Sequence, residues 1–363
     1  MKVIKLIVIN LVVFVSLVVF CGVVWEGGLR FYELFGPSRP AATLRSDIEL
    51  GWNSIPEVRY IGDSSAQDKI AFIGDSFTQG TAWPALSISY LNERERRFRG
   101  DVLGVAGYGT IQSFLKLSRH LEQIKPKVVV LLFFAWNDMR DNYDRPGIYY
   151  NDQTRIRPYY ENTGEEATIK FPNPADALMP RLRVFQEYVL PALMKADEKL
   201  AGSADFDSLV KARSRALVGY GDVRSWRRFY DPSKQDDEYV RESWAATTTA
   251  LLSLRDKVEG ETHAKLLIVG IDNAFTVDED VKVQWIGDSG SFDPSLPLSR
   301  LGEIARLNGV RYVNALPVLK ELRSKLGKKV YNGPSGNLAG HLEPEGDDAI
   351  GRLVAEEVLR LDS

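Results

Sequence analysis

Residues 69–80 read Lys-Ile-Ala-Phe-Ile-Gly-Asp-Ser-Phe-Thr-Gln-Gly. An apolar run of strand length ends there in Gly74-Asp75-Ser76, and Phe77-Thr78-Gln79-Gly80 can open the next crossover. Outward from this stretch the pattern repeats. Further strand-length runs fall at 101–105, 127–134, 265–270 and 309–313, with helix-length amphipathic stretches between them. That alternation predicts five parallel strands covered by helices. Residues 127–134, Lys-Val-Val-Val-Leu-Leu-Phe-Phe, are continuously apolar after the lysine, as a central strand buried on both faces requires. The interval between the third and fourth runs is far longer than one crossover helix needs. It predicts an insertion at about 140–230, followed by a helix near 237–258.

The chain begins differently. Residues 6–25 are apolar except for Asn10 and Ser16, and Lys2 and Lys5 precede them. At about 1.5 Å of rise per residue such a run crosses a hydrocarbon core of about 30 Å. The lysines place the N-terminus in the cytoplasm and the body outside it. Bulky neighbours at the end of the run, Val-Val-Trp at 23–25, lack the small residues of a cleavage site, so residues 1–25 read as an uncleaved signal anchor. Residues 26–66 read as a juxtamembrane linker and lead-in broken by Gly27-Gly28 and Gly36-Pro37, and the folded domain is expected over 67–363.

Lys plus Arg number 46 against 49 for Asp plus Glu, which excludes the basic surface of a nucleic-acid binder. One cysteine, Cys21, forms no internal disulfide, and three histidines without a cysteine pair offer no zinc-ligand spacing. No cofactor and no metal is expected. Oligomeric state is not legible.

Gly-Asp-Ser occurs at 62–64, 74–76 and 287–289, so its surroundings must decide. Ser64 precedes a strand and Ser289 sits in a loop composition, whereas Ser76 leaves the first strand at the carboxyl edge, where open α/β sheets bind ligands. Ser76 is the candidate nucleophile. A serine needs a base and donors for the oxyanion. Of the histidines, His120 sits in a charged helical stretch and reads as solvated, and His263 precedes the fourth strand, at the wrong end of the sheet. His341, in Gly-His-Leu-Glu-Pro-Glu-Gly before a final helix near 347–359, remains as the base. Backbone N–H groups in Gly104-Val-Ala-Gly-Tyr-Gly-Thr110 and the amide of Asn137 are candidate oxyanion donors, at the ends of the second and third strands.

Four ordered blocks resemble the SGNH, or GDSL-type, hydrolase superfamily: Gly74-Asp75-Ser76-Phe77-Thr78, the glycine turn with Gly107, Asn137-Asp138, and 341–346. The resemblance covers residues 67–138 and 240–363, and Glu49-Leu50-Gly51-Trp52 is similar to a lead-in of membrane-anchored members. It implies a three-layer α/β/α sandwich on a five-stranded parallel, flavodoxin-like sheet, with Ser76 as nucleophile and His341 as base. The Ser76 N–H, the Gly107 N–H and the Asn137 side chain would form the oxyanion hole. Two departures stand out. The Asp expected two or three residues before the histidine is replaced by Ala339 and Leu338, and Ala135 replaces a common glycine. Glu343, Glu345 and Asp347 are nearby carboxylates that could replace the acid.

The expected function is a serine esterase working through an acyl-enzyme on an extracytoplasmic ester, with O-acetylated polysaccharide as the suggested substrate. An O-acyltransferase using the same acyl-enzyme, or a non-catalytic carbohydrate-binding or assembly module, are the alternatives. The aromatic residues Tyr143, Tyr149, Tyr150, Tyr159, Tyr160, Trp226, Phe229 and Tyr230, in or beside the insertion, read chiefly as packing.

Overall fold

Every side chain from Val128 to Phe134 is buried, and successive residues face opposite helical layers. A computed structural model of the chain describes residues 22, 24, 44–47, 49–94, 97–143, 157–162, 167–171, 225–278, 292–332 and 340–362. The chain divides into two units. Of the one comprising 1–43, 146–156 and 172–220, only residues 22 and 24 are described, both helical and exposed. Apart from these two, the expected anchor at 1–25 lies outside the described residues. Among the described residues no helix is long and apolar enough to cross a membrane.

The second unit carries all the architecture that follows. Its strands in chain order are β1 (Leu44–Asp47), β2 (Gly51–Ser54), β3 (Arg59–Gly62), β4 (Asp68–Gly74), β5 (Phe98–Val102), β6 (Val128–Phe134), β7 (Tyr159–Asn162), β8 (Ala167–Lys170), β9 (Lys265–Ile271), β10 (Arg311–Asn314), β11 (Tyr331–Asn332) and β12 (His341–Leu342). Its helices are α1 (Ser76–Gln79), α2 (Trp83–Asn92), α3 (Thr110–Ile124), α4 (Asp138–Tyr143), α5 (Glu238–Arg255), α6 (Leu296–Leu307), α7 (Leu316–Leu326) and α8 (Pro344–Asp362).

The central sheet runs β10-β9-β6-β4-β5-β3. Five of these strands are parallel, and taken in chain order they stand 2-1-3-4-5, the flavodoxin-like arrangement. Ile70 pairs with Val128 and Val128 with Lys265, so the carboxyl ends of β4, β6 and β9 form one edge. The period-two alternation of β4, β6 and β9 builds two cores. Ile73, Leu131 and Ile268 meet Leu117 and Leu121 of α3, Trp244 of α5 and Leu301 of α6. Phe72, Val130 and Val269 meet Trp83 of α2, Leu319 of α7 and Val354 of α8. These are the two helical layers of a sandwich.

The structure departs from the sequence reading in three places. Among the described residues the sheet has six strands, because β3, within the segment read as lead-in, pairs antiparallel with β5 at the edge. It is four residues long and mostly exposed, so it carries little apolar signal. The second parallel strand occupies Phe98–Val102 rather than 101–105. Leu103 and Val105 still donate to the carbonyls of Phe72 and Gly74, 2.8 and 3.1 Å away, beyond the end of the ladder. Finally, within the expected insertion β7 and β8 pair as an antiparallel hairpin. Tyr160 on this hairpin is buried with Ala246 and Ala250 of α5, and its hydroxyl meets Ser253 Oγ at 3.0 Å.

Candidate active site

Four of the five parallel strands deliver the chemistry-bearing residues just past their carboxyl ends: Ser76 after β4, Gly107 after β5, Asn137 after β6 and Asp272 after β9. The turn out of β4 is glycine-dependent. Gly74 has φ +144°, and a Cβ there would lie 2.6 Å from Thr78 Oγ1 and 2.8 Å from the Leu132 carbonyl. Only a residue without a side chain lets β4 turn against β6 at this point. Asp75 follows as the cap of α1, its Oδ1 accepting the Phe77 N–H at 2.9 Å, which leaves Ser76 half-buried as the first residue of the helix.

The Gly107 turn is held from both sides. Gln79, the last residue of α1, accepts the Ala106 N–H on Oε1 at 2.7 Å. Trp52 of β2 donates its Nε1–H to the Ala106 carbonyl at 3.0 Å, and the Tyr108 hydroxyl returns to the Trp52 carbonyl at 2.5 Å. The lead-in motif thus braces the turn, and Gly107 adopts φ +75° there. Among the described residues neither the Ser76 N–H nor the Gly107 N–H has a protein acceptor. Two donors remain open for a ligand oxygen.

Asn137 comes to Asp75: its Nδ2 lies 3.5 Å from Asp75 Oδ2, the outer limit of a hydrogen bond, and among the described residues its buried Oδ1 has no partner. Asp138 is structural. Its Oδ2 accepts the Phe134 N–H at 2.7 Å and its Oδ1 the Thr110 hydroxyl at 3.0 Å, joining the end of β6 to the start of α3. Burial pushes Asp75 up to about 7, against the pull of the Phe77 N–H and the Asn137 amide. Burial first, then the neighbouring Asp75 carboxyl, holds Asp138 well above the usual carboxylate range.

His341 lies on β12, paired antiparallel with β11, and its N–H donates to Asn332 Oδ1 at 3.1 Å. Its imidazole packs on the ring of Phe77, the residue after Ser76, with centroids 4.9 Å apart and planes at 41°. Burial lowers its pKa below 6.5. Among the described residues no carboxylate hydrogen-bonds the ring, and positions 338 and 339 lie outside them. Asp347 Oδ2 accepts the Ala82 N–H, and Glu345 pairs with Lys328. The other two histidines are elsewhere. His120, expected to be solvated, is half-buried with Nε2 3.1 Å from Glu57 Oε2, and His263 is exposed just before β9, at the amino edge. Of the other Gly-Asp-Ser copies, 62–64 ends β3 and enters a turn, and 287–289 lies outside the described residues.

The sequence reading passed over Gln79, Phe77 and Asp272 as site residues. Gln79 was visible only as a helix-opening residue, and nothing in its neighbours signals a bond to Ala106. Asp272 is fully buried, its Oδ1 accepting the Tyr230 hydroxyl at 2.6 Å and its carbonyl the Tyr331 hydroxyl at 2.7 Å. Among the described residues no group of three His, Cys, Asp or Glu is placed to hold a metal.

No protein-family model matches the chain, and no curated protein matches it. Solved structures do. A gut microbial diltiazem-metabolizing enzyme is 11% identical with a TM-score of 0.41, covering 82% of this chain, which spans 47% of that protein's length. A catalytic mutant of an acetylxylan esterase from Geobacillus stearothermophilus is 13% identical with a TM-score of 0.39, covering 81% of this chain and 94% of its own. A psychrotrophic esterase from Pseudoalteromonas is 11% identical with a TM-score of 0.39, covering 82% of this chain and 100% of its own.

Proposed function

We propose that the chain is a serine ester hydrolase of the SGNH type. The observation that carries this reading is the packing of His341 on Phe77, a contact between the one histidine of the carboxyl edge and the residue that follows Ser76. Ser76 Oγ attacks the ester carbonyl carbon while His341, neutral because burial lowers its pKa, takes the hydroxyl proton. The tetrahedral oxyanion accepts hydrogen bonds from the open N–H groups of Ser76 and Gly107. Asn137 is the third donor by resemblance, and the long contact with Asp75 leaves its amide weakly held. Collapse expels the alcohol with the proton from His341, and water, deprotonated by the same imidazole, then releases the acid.

The substrate class in this reading is an O-acetyl ester on an extracytoplasmic polysaccharide. Its support is the apolar run at 6–25 behind Lys2 and Lys5, which would tether the body outside the cytoplasm. The test is hydrolysis of an acetyl ester, and acetate release from an acetylated polysaccharide, by the full-length chain and its Ser76→Ala variant. Loss of at least about a thousandfold in kcat is expected. Equal rates in the two proteins, or no hydrolysis by folded wild type, would overturn the reading.

A further inference from the structure

A Ser-His pair needs something to hold the imidazole, and the residues that ordinarily do so are missing at 338 and 339. The structure has a different support next to the ring. Tyr331 is buried, and its hydroxyl donates to the Asp272 carbonyl at 2.7 Å, fixing β11 to the end of β9. Tyr331 pairs with Leu342 and Asn332 with His341 across the β11–β12 ladder. Asn332 grips the partner strand twice, accepting the His341 N–H at 3.1 Å and donating to the Leu342 carbonyl at 3.5 Å. The Tyr331 ring meets Phe77 edge-on, centroids 6.4 Å apart at 70°, and Phe134 meets Phe77 at 4.6 Å. Phe77 is therefore confined between two buried aromatics while it also contacts the imidazole.

We infer that Tyr331, anchored on the Asp272 carbonyl, and Phe77 together clamp the His341 imidazole in place, doing by packing what a carboxylate does in a Ser-His-Asp triad. Both are positioning residues. This inference rests on the esterase reading for its catalytic consequence, but the clamp itself is a geometry that can be read without turnover. A hydroxyl-to-carbonyl bond and a confined ring restrict the rotation of β12 and of the imidazole.

The experiment uses the full-length chain with ring-labelled histidine, whose three histidines give three sets of resonances. Protons held against a phenyl face are displaced from their free positions, and Phe77→Leu calibrates that displacement for His341. In Tyr331→Phe, which removes one oxygen and keeps the ring, the His341 resonances are expected to move by about half of the calibrated displacement or more. The resonances of His120 and His263 should stay in place, which separates loss of the clamp from general unfolding. kcat for an acetyl ester is expected to fall about tenfold with KM within about twofold. His341 resonances that stay put in Tyr331→Phe, or that do not respond to Phe77→Leu, would overturn the clamp. Resonances that move with kcat unchanged would overturn its role in turnover. If wild type shows no Ser76-dependent hydrolysis, the esterase reading fails, and the clamp is decided by the resonances alone.

Discussion

Asp347 Oδ2 accepts the backbone N–H of Ala82 at 2.9 Å, joining the first turn of α8 to the entry of α2. Ala82 cannot cap α2 itself, having no side-chain acceptor, and Asp347 reaches across from a distant part of the sequence to do so. One of the three carboxylates that lie near His341 in sequence is thereby committed to the scaffold. Asp347→Ala should cost about 1–2 kcal/mol of stability, the usual worth of a cap, and change kcat per folded molecule by less than about threefold. Denaturant unfolding and a parallel turnover measurement check both halves. A loss of kcat of a hundredfold or more with stability intact would instead make Asp347 the partner of His341.

The pH dependence of turnover follows from the surroundings of His341. Burial disfavours the imidazolium, and no carboxylate among the described residues stabilises it, so the pKa falls below 6.5. With His341 as the proposed base, protonation of the ring as pH drops through that value lowers kcat/KM. The acid limb should therefore have its midpoint below 6.5, and a profile of kcat/KM from pH 4 to 8 measures it. A midpoint above 6.5 would show that an acid pairs with the ring after all.

Stability should respond to pH through the buried carboxyls. Asp75 and Asp272 are fully buried and both raised from 3.8 to about 7, by burial first, against the hydrogen bonds each accepts. Their folded pKa values lie above the unfolded one, so the stability associated with each is complete below pH 3.8 and is lost as pH rises through about 7. Asp47 and Asp141 are shifted the other way and lose stability only as pH falls below 3.8, outside this window. The lowered histidines oppose the trend, so the cleanest reading is a difference between variants. Asp272→Asn keeps an acceptor for the Tyr230 hydroxyl and removes the charge. It should gain roughly 2–4 kcal/mol relative to wild type between pH 5 and pH 8.5, read as a divergence of their unfolding curves. Parallel curves across that range would contradict it.

The layered fold was legible because β4, β6 and β9 are buried on both faces and so appear as unbroken apolar runs. Ser76 and His341 could be chosen from three serine contexts and three histidines because a parallel sheet has only one edge where ligands bind. The features that escaped detection share a physical cause. β3 is a short exposed edge strand, so neither periodicity nor hydrophobicity marks it. The brace of Trp52 on the Ala106 carbonyl and the cap supplied by Asp347 join residues far apart in sequence through single hydrogen bonds, which leave no local pattern. The commitment of Asp347 to α2 could not be read from its spacing to His341.

Gln79 ties the helix that begins with Ser76 to the Gly107 turn. Its backbone ends the helix that begins with Ser76, and its Oε1 accepts the Ala106 N–H at 2.7 Å, one residue before Gly107. Ala106 is held on its other side by Trp52, and Val105 by the Gly74 carbonyl, so the turn keeps its place in the fold if the glutamine bond is lost, but its direct tie to the helix of Ser76 is gone. Gln79→Met keeps the length and volume of the side chain and removes the acceptor. It should lower stability by about 1 kcal/mol, the net worth of one neutral hydrogen bond. kcat should fall further than that loss suggests, on the order of tenfold to a hundredfold, with KM little changed, if the Gly107 donor acts on the oxyanion of the transition state as the esterase proposal has it. Gln79→Glu separates acceptor from amide. It retains an oxygen toward Ala106 and should recover most of the lost turnover. Equal kcat in wild type and Gln79→Met would show that the Trp52 brace alone positions the turn.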